Sequence, residues 1–147
     1  MTDPLSTPNI KITLSDSDKA NFATPYNENG ILTSHWDITG LGAAGAIRAN
    51  LTDMLRYAQL NMTAETEAIR LAQTPTFRQN KSTQTGLYWQ LQTNSKGQLI
   101  VWHNGGTGGF STFCGFLKEK NRAIVVLANS SVQATQLSFD LLKALDR

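Results

Sequence analysis

The stretch His103-Asn104-Gly105-Gly106-Thr107-Gly108-Gly109-Phe110-Ser111 decides how this chain reads. A histidine closes the apolar run Leu99-Ile100-Val101-Trp102, and four glycines follow it within five residues. Glycine reaches positive φ and lets another group approach the main chain closely. A titratable side chain beside bare backbone N–H groups suits a site that holds developing negative charge. The same residues also read as a glycine-rich connector between two strands, with His103 a polar strand end. The local sequence admits both readings.

Working outward, Phe110 to Lys118 predicts a strand, Glu119-Lys120-Asn121-Arg122 a charged turn, and Ala123 to Ala128 a further strand. Upstream, Gly86 to Thr93 alternates loosely, Asn94-Ser95-Lys96-Gly97 is a turn, and Leu99 to His103 is a strand. Short connections between successive strands predict antiparallel hairpins. Residues 131–145 predict a closing helix with Leu137, Leu141, Leu142 and Leu145 apolar and Ser130 or Ser131 as its cap. A helix over 50–61 follows from Asn50 as N-cap, Asp53 in the first turn, and Leu51, Met54, Leu55 and Ala58 on one face. A second, over about 64–73, has Thr63 as cap, Ala64, Ala68, Leu71 and Ala72 as its apolar face, and Pro75 beyond its end. Residues 1–45, punctuated by Pro4, Pro8, Pro25, the polar run from Ser15 to Lys19 and the turn signal Asn29-Gly30, are expected to be an irregular wrapping segment.

The fold class is therefore α+β: an antiparallel sheet with a C-terminal helix plus short helices. The run 123–128 is apolar at every position, which predicts burial on both sheet faces and a layer on each side. The C-terminal helix covers one face, and the helices over 50–61 and 64–73 are short for the other. The chain is expected not to cover its own sheet.

Composition bounds the function. A chain of 147 residues suits one domain. The hydrophobic fraction of 40% argues against global disorder. A formal charge of +2, with no basic cluster, gives no footprint for nucleic acid. One cysteine, Cys114, excludes an internal disulfide, and two histidines with one cysteine give no zinc spacing. No apolar run approaches the ~20 residues that span a bilayer. No cofactor is expected. The segment Met1-Thr2-Asp3-Pro4-Leu5 has no basic or apolar signal region, so the expectation is a chain without a signal peptide.

The motifs Gly86-Leu87-Tyr88-Trp89, His103 through Ser111, and Ala123-Ile124-Val125-Val126-Leu127-Ala128-Asn129 occur in this order. They resemble the C-terminal part of the serine β-lactamase and penicillin-binding-protein-like hydrolases, class C branch. Upstream, Gly40-Leu41-Gly42-Ala43-Ala44-Gly45-Ala46-Ile47-Arg48 with Asn50-Leu51-Thr52-Asp53-Met54 is similar to the family's segment before a helix of its α domain. Even Met1-Thr2-Asp3 resembles an interior family segment. The resemblance covers nearly the whole chain. It implies residues 1–147 as a single incomplete domain, with an α-region segment over 1–80 and the sheet and C-terminal helix over 81–147.

The family's chemistry is acyl transfer by an activated serine. It uses a Ser-x-x-Lys on a helix, a Tyr-x-Asn or Ser-x-Asn loop, and a Lys-Thr-Gly or His-x-Gly strand. His103-Asn104-Gly105 matches the third. The resemblance implies that His103 faces the nucleophile, polarises it or its base and helps bind a substrate carboxyl group. Gly105 lets the strand approach the substrate, and the Gly106 N–H donates to the oxyanion. Catalytic roles thus fall to His103 and Gly106, and substrate contacts to Asn104, Gly105 and Thr107. A histidine in this position makes the local charge depend on pH where lysine would not. Periplasmic or secreted placement is what the family implies.

The other two motifs do not occur. Thr93-Asn94-Ser95-Lys96 has the spacing with threonine but lies in a turn. Tyr26, Tyr57 and Tyr88 lack asparagine two residues on, and there is no Ser-x-Asn. The implied partner is the N-terminal part of the same fold, or a second copy of the chain, with a small acyl substrate.

Competing chemistries are weaker. Gly109-Phe110-Ser111-Thr112-Phe113 starts like a nucleophile elbow but lacks the final glycine and precedes a strand. Cys114 with His103 would make a thiol dyad, although aromatic neighbours favour an unreactive cysteine. The glycines lack the Gly-Lys-Ser/Thr ending of a phosphate loop. His35, beside Trp36 and near Asp37, suits the surface better than a metal site. Two function classes follow: a part of a serine hydrolase without its nucleophile, inactive alone, or a non-catalytic binding or assembly module whose uncovered sheet associates.

Overall fold

In the computed structural model, which describes residues 6–38, 40, 42–63 and 66–145, six strands follow one another in chain order across one antiparallel sheet. They are β1 (Phe77–Arg78), β2 (Thr83–Thr85), β3 (Gln90–Thr93), β4 (Leu99–Thr107), β5 (Phe110–Leu117) and β6 (Arg122–Ala128). Asparagines set three of the turns. The Asn80 carboxamide oxygen accepts from the N–H groups of Ser82 and Thr83, both at 2.9 Å, between β1 and β2. The Asn94 oxygen accepts from Lys96 and Gln98 between β3 and β4, with Gly97 at φ 78°. Asn121, at φ 50°, closes the turn between β5 and β6.

The glycine run is not a loop. β4 continues through Gly105 and Gly106 to Thr107, paired residue for residue with β5, so that Gly108-Gly109 alone make the turn. Gly109 sits at φ 72°, and a Cβ there would lie 2.4 Å from the Pro25 side chain. A Cβ on Gly108 would lie 2.4 Å from the Ser34 carbonyl oxygen. These two glycines serve the turn and the segment packed over it. Gly105 and Gly106 serve neither, which separates the run into two halves.

Helices flank the sheet: α1 (Asp16–Ala20), α2 (Gly42–Gly45), α3 (Leu51–Thr63), α4 (Glu67–Ala72) and α5 (Thr135–Leu145). On the α3 side, Ala58 packs with Trp89, Leu91, Val101, Cys114 and Phe116. On the α5 side, Leu142 packs with Ile100, Phe113 and Leu117, joined by Trp102 and Phe139. Both cores are aromatic. Burying each large ring contributes on the order of 1.5–3 kcal/mol.

Helix boundaries and faces depart from expectation for identifiable reasons. Asn50 caps α3, its side-chain oxygen accepting from the Asp53 N–H at 2.9 Å. The buried face, however, includes Asp53 and Asn61, while Leu51 and Leu55 stay exposed. Asp53 is satisfied by the Asn9 N–H at 2.6 Å, and the Asn61 amide donates to the Tyr57 carbonyl at 2.9 Å. The second helix starts at Glu67, capped by Thr66 and not by Thr63; Ala64 lies outside the described residues. The last helix starts at Thr135, not 131. Residues before it are held elsewhere: the Ser131 N–H donates to Tyr26, and the Val132 carbonyl accepts from the Ser111 hydroxyl. β1 and β2 carried no apolar alternation to mark them.

The N-terminal segment wraps as expected, with two short helices the spacing left out, α1 and α2. Ser15 and Asp18 form a capping box that starts α1. Lys11, 2.7 Å from Asp18, and Ser15 together hold the Asp18 carboxyl down at about 2. The Arg48 guanidinium ties the segment down by donating to the carbonyls of Ile12, Ala46 and Trp36.

Coverage of the sheet is incomplete. β6 is an edge strand, half-buried along most of its length, and among the described residues no strand pairs its outer side. On α5, Leu137, Leu141 and Leu145 are 57%, 40% and 46% exposed, in one stripe at four-residue spacing.

The division of the glycines predicts unequal stability effects, readable by urea denaturation. Gly109→Ala costs about 1–3 kcal/mol, because an alanine at positive φ also meets Pro25. Gly106→Ala stays within about 0.5 kcal/mol, since its Cβ meets only the Gln133 side chain at 3.5 Å.

Candidate active site

All five residues singled out from the sequence lie on β4, and the hairpin register fixes how each is presented. The pair Thr107 and Phe110 closes a two-residue turn, so these two residues exchange both backbone hydrogen bonds. The alternation then turns the N–H groups of Gly105 and His103 toward β5. Those of Gly106 and Asn104 turn the other way, toward β3. But β3 ends its pairing at Gln90 opposite Trp102. From His103 onward that side of β4 is, among the described residues, an open strand edge, and Gly106, itself exposed, directs its N–H there.

Side chains divide by the same period of two. His103 is exposed on the α3 side, its imidazole stacked against Tyr88 at 5.6 Å between centroids and 23° between planes. Its cross-strand partner is Cys114. Gly105 and Thr107 share that face, and a Cβ on Gly105 would lie 2.8 Å from the Thr112 hydroxyl. Asn104 faces the other way, its amide donating to the Thr135 hydroxyl at 2.9 Å. That bond fastens the far end of β4 to the start of α5. The structure thus brings His103, Gly105 and Thr107 to one face and places the Asn104 side chain on the opposite one. What the strand offers chemically is an accessible imidazole at His103 and, three residues or roughly 10 Å further along β4, an outward peptide donor at Gly106, with the intervening Asn104 side chain turned to the opposite face.

Tyr88 and Thr135 carried no signal of their own. The first sat inside a run read as strand, which is a turn from Gly86 to Trp89. The second sat inside a helix expected to begin four residues earlier. Only the tertiary fold brings them to His103 and Asn104.

Rival nucleophiles fall away on geometry. Ser111 is fully buried and donates to the Val132 carbonyl at 2.5 Å. Cys114 stands directly across from His103, as a dyad would need. It is only 7% exposed, and burial pushes its thiol up to about 12, so it stays protonated and inert at neutral pH. His35 packs edge-on against Phe22 at 5.6 Å. Among the described residues no cluster of three His, Cys, Asp or Glu could hold a metal ion, and no helix is long and apolar enough to cross a membrane. Cys114 is accordingly expected to resist a thiol reagent such as DTNB at pH 8 in the native chain. It should react stoichiometrically once denaturant is added. Rapid labelling of the native protein would contradict the buried placement.

Comparison with known proteins bears on the whole chain. The family model described as beta-lactamase matches residues 1–145. Among solved structures, a class C beta-lactamase mutant superposes with a TM-score of 0.82 at 20% identity, over 95% of this chain and 48% of that one. The D-alanine carboxypeptidase AmpC from Burkholderia cenocepacia gives 0.82 at 21% identity, over 95% and 52%. A class C beta lactamase from Rhodobacter sphaeroides gives 0.83 at 15% identity, over 97% and 51%. These identities speak to the fold, and the chain spans about half the length of each structure. With six antiparallel strands, a C-terminal helix and a family match running from end to end, the chain belongs to the β-lactamase family.

Proposed function

We propose that this chain is the C-terminal part of a β-lactamase-like serine hydrolase and supplies one wall of its acyl-transfer cleft. The reaction class is attack by a serine on a β-lactam, ester or peptide carbonyl. His103 polarises the nucleophile or its base and helps hold a substrate carboxylate. The Gly106 N–H donates to the oxyanion of the tetrahedral intermediate, where a preorganised donor gives most of its advantage. Gly105 lets substrate approach the strand, and Thr107 lines the same face. Asn104 contributes through its backbone on the open edge, its side chain being engaged by Thr135. The chain has no Ser-x-x-Lys, so on this reading it is an incomplete domain and inactive alone. A segment carrying the remaining half of the fold is its partner. The observation that carries the reading is the open edge of β4, which pairs an exposed imidazole with an outward peptide N–H.

The uncovered β6 edge and the Leu137, Leu141 and Leu145 stripe favour a second reading as a non-catalytic assembly module in which a second copy covers the sheet. Light scattering on the purified chain separates the two: the hydrolase reading expects no defined dimer.

Co-expression with a family N-terminal fragment bearing Ser-x-x-Lys tests the main proposal. The expected outcome is a complex that hydrolyses a chromogenic cephalosporin or p-nitrophenyl ester. His103→Ala in that complex should lower kcat/KM by about 10²-fold or more. A fluorophosphonate probe should label the added fragment and leave this chain unlabelled. A folded complex without hydrolysis, or one indifferent to His103→Ala, would contradict it.

A further inference from the structure

His103 stands at an exposed strand position, where an imidazole ordinarily samples several staggered rotamers. One neighbour restrains it. Tyr88 is 51% exposed, so its ring is not a core element. Its backbone is nonetheless clamped on both sides. Gly86 is buried where a Cβ would lie 2.5 Å from the Ala72 carbonyl oxygen, so no other residue fits without displacing backbone. The Gly86 N–H donates to the Trp89 carbonyl at 2.8 Å, and the Leu87 N–H donates to the Ala72 carbonyl at 3.2 Å. Trp89 is only 2% exposed, stacked on Tyr57 and edge-on to Phe116. A tight turn built on α4 and the core thus presents one exposed aromatic ring, and that ring lies 5.6 Å from the His103 imidazole and 23° from parallel to it. The separation is in the range of an offset aromatic stack.

We propose that Tyr88 is a positioning residue that holds the His103 imidazole in one orientation on β4, the strand that also carries the outward N–H of Gly106. Tyr88 lies over one imidazole face, so the ring edge that carries the nitrogens is not what the stack engages. Orientation of an acid–base group ahead of substrate binding lowers the cost of reaching the reactive geometry. The functional meaning of this device rests on His103 belonging to the acyl-transfer cleft. Its physical content does not, so the two are tested separately.

The test is NMR of the whole chain with labelled histidine, wild type against Tyr88→Leu and Tyr88→Phe. There are two histidines, and His35 serves as internal reference. In wild type the ring protons of His103 should lie upfield, shifted by the Tyr88 ring current. Tyr88→Leu should abolish that shift and increase imidazole mobility in relaxation measurements. Tyr88→Phe, which keeps the ring, should restore both, and His35 should not move. The thermal midpoint should be the same in all three proteins, because the ring is half-exposed. Identical His103 resonances and mobility in wild type and Tyr88→Leu would overturn the proposal. A His103 change that appears only with a lowered midpoint would assign Tyr88 to the core instead, and would also overturn it. Absence of hydrolysis in the folded, unmutated complex would count against the cleft and leave the stack untouched.

Discussion

The hydrogen-bonded closure between Thr107 and Phe110 is the constraint on which the rest depends. A two-residue turn admits one parity of backbone bonding, and Gly108-Gly109 form that turn under a segment too close to tolerate side chains. Once the parity is set, every group on β4 has an assigned direction. His103 shares a face with Gly105 and Thr107, Asn104 turns to α5, and Gly106 sends its N–H to the side that β3 leaves open. A shift of one residue would invert all of these assignments. The candidate site is a consequence of register.

The antiparallel strands from Leu99 to Ala128 were legible because apolar runs, short turns and glycines mark them directly. So was the α3 cap, since Asn50 and Asp53 form a local signal. Which glycines serve the turn was not legible. Composition alone reads the run as a loop, the resemblance puts His103-Asn104-Gly105 on a strand, and the cross-strand partners Gly105 with Thr112 and Gly106 with Ser111 carry that strand on to Thr107. The capping box at Ser15 and Asp18 was hidden because the motif favours glutamate or glutamine at the third position, and aspartate serves here with help from Lys11. The buried face of α3 was half legible from apolarity: Met54 and Ala58 pack on the core, whereas Leu51 and Leu55 do not, because Asp53 and Asn61 find backbone partners inside. At the site, His103, Gly105 and Gly106 were readable from one motif. Tyr88 and Thr135 were not, since their relevance comes from contacts 15 and 31 residues distant in the chain.

Burial and function point in the same direction. β6 carries Ile124, Val125, Val126 and Leu127 on an edge, which natural sheets ordinarily protect with charge, proline or a covering element. α5 exposes a leucine stripe beyond its contacts with the sheet. The chain spans about half of each matched structure, and on the proposed reading its apolar surfaces and the His103 strand are completed together by the remaining half of the fold. The opposite faces of the sheet are served differently: the α5 side is fastened at the site by Asn104 and Thr135, while the α3 side presents His103 and its stacked tyrosine.

The central claim, that the Gly106 N–H has no partner among the described residues and faces an open strand edge, is tested most directly by amide hydrogen exchange resolved by residue. Gly105 and His103, bonded to β5, should exchange slowly, near the rate set by global unfolding. Gly106, one residue away on the same strand, should exchange far faster after correction for intrinsic rates. Protection of Gly106 equal to that of Gly105 would contradict the account.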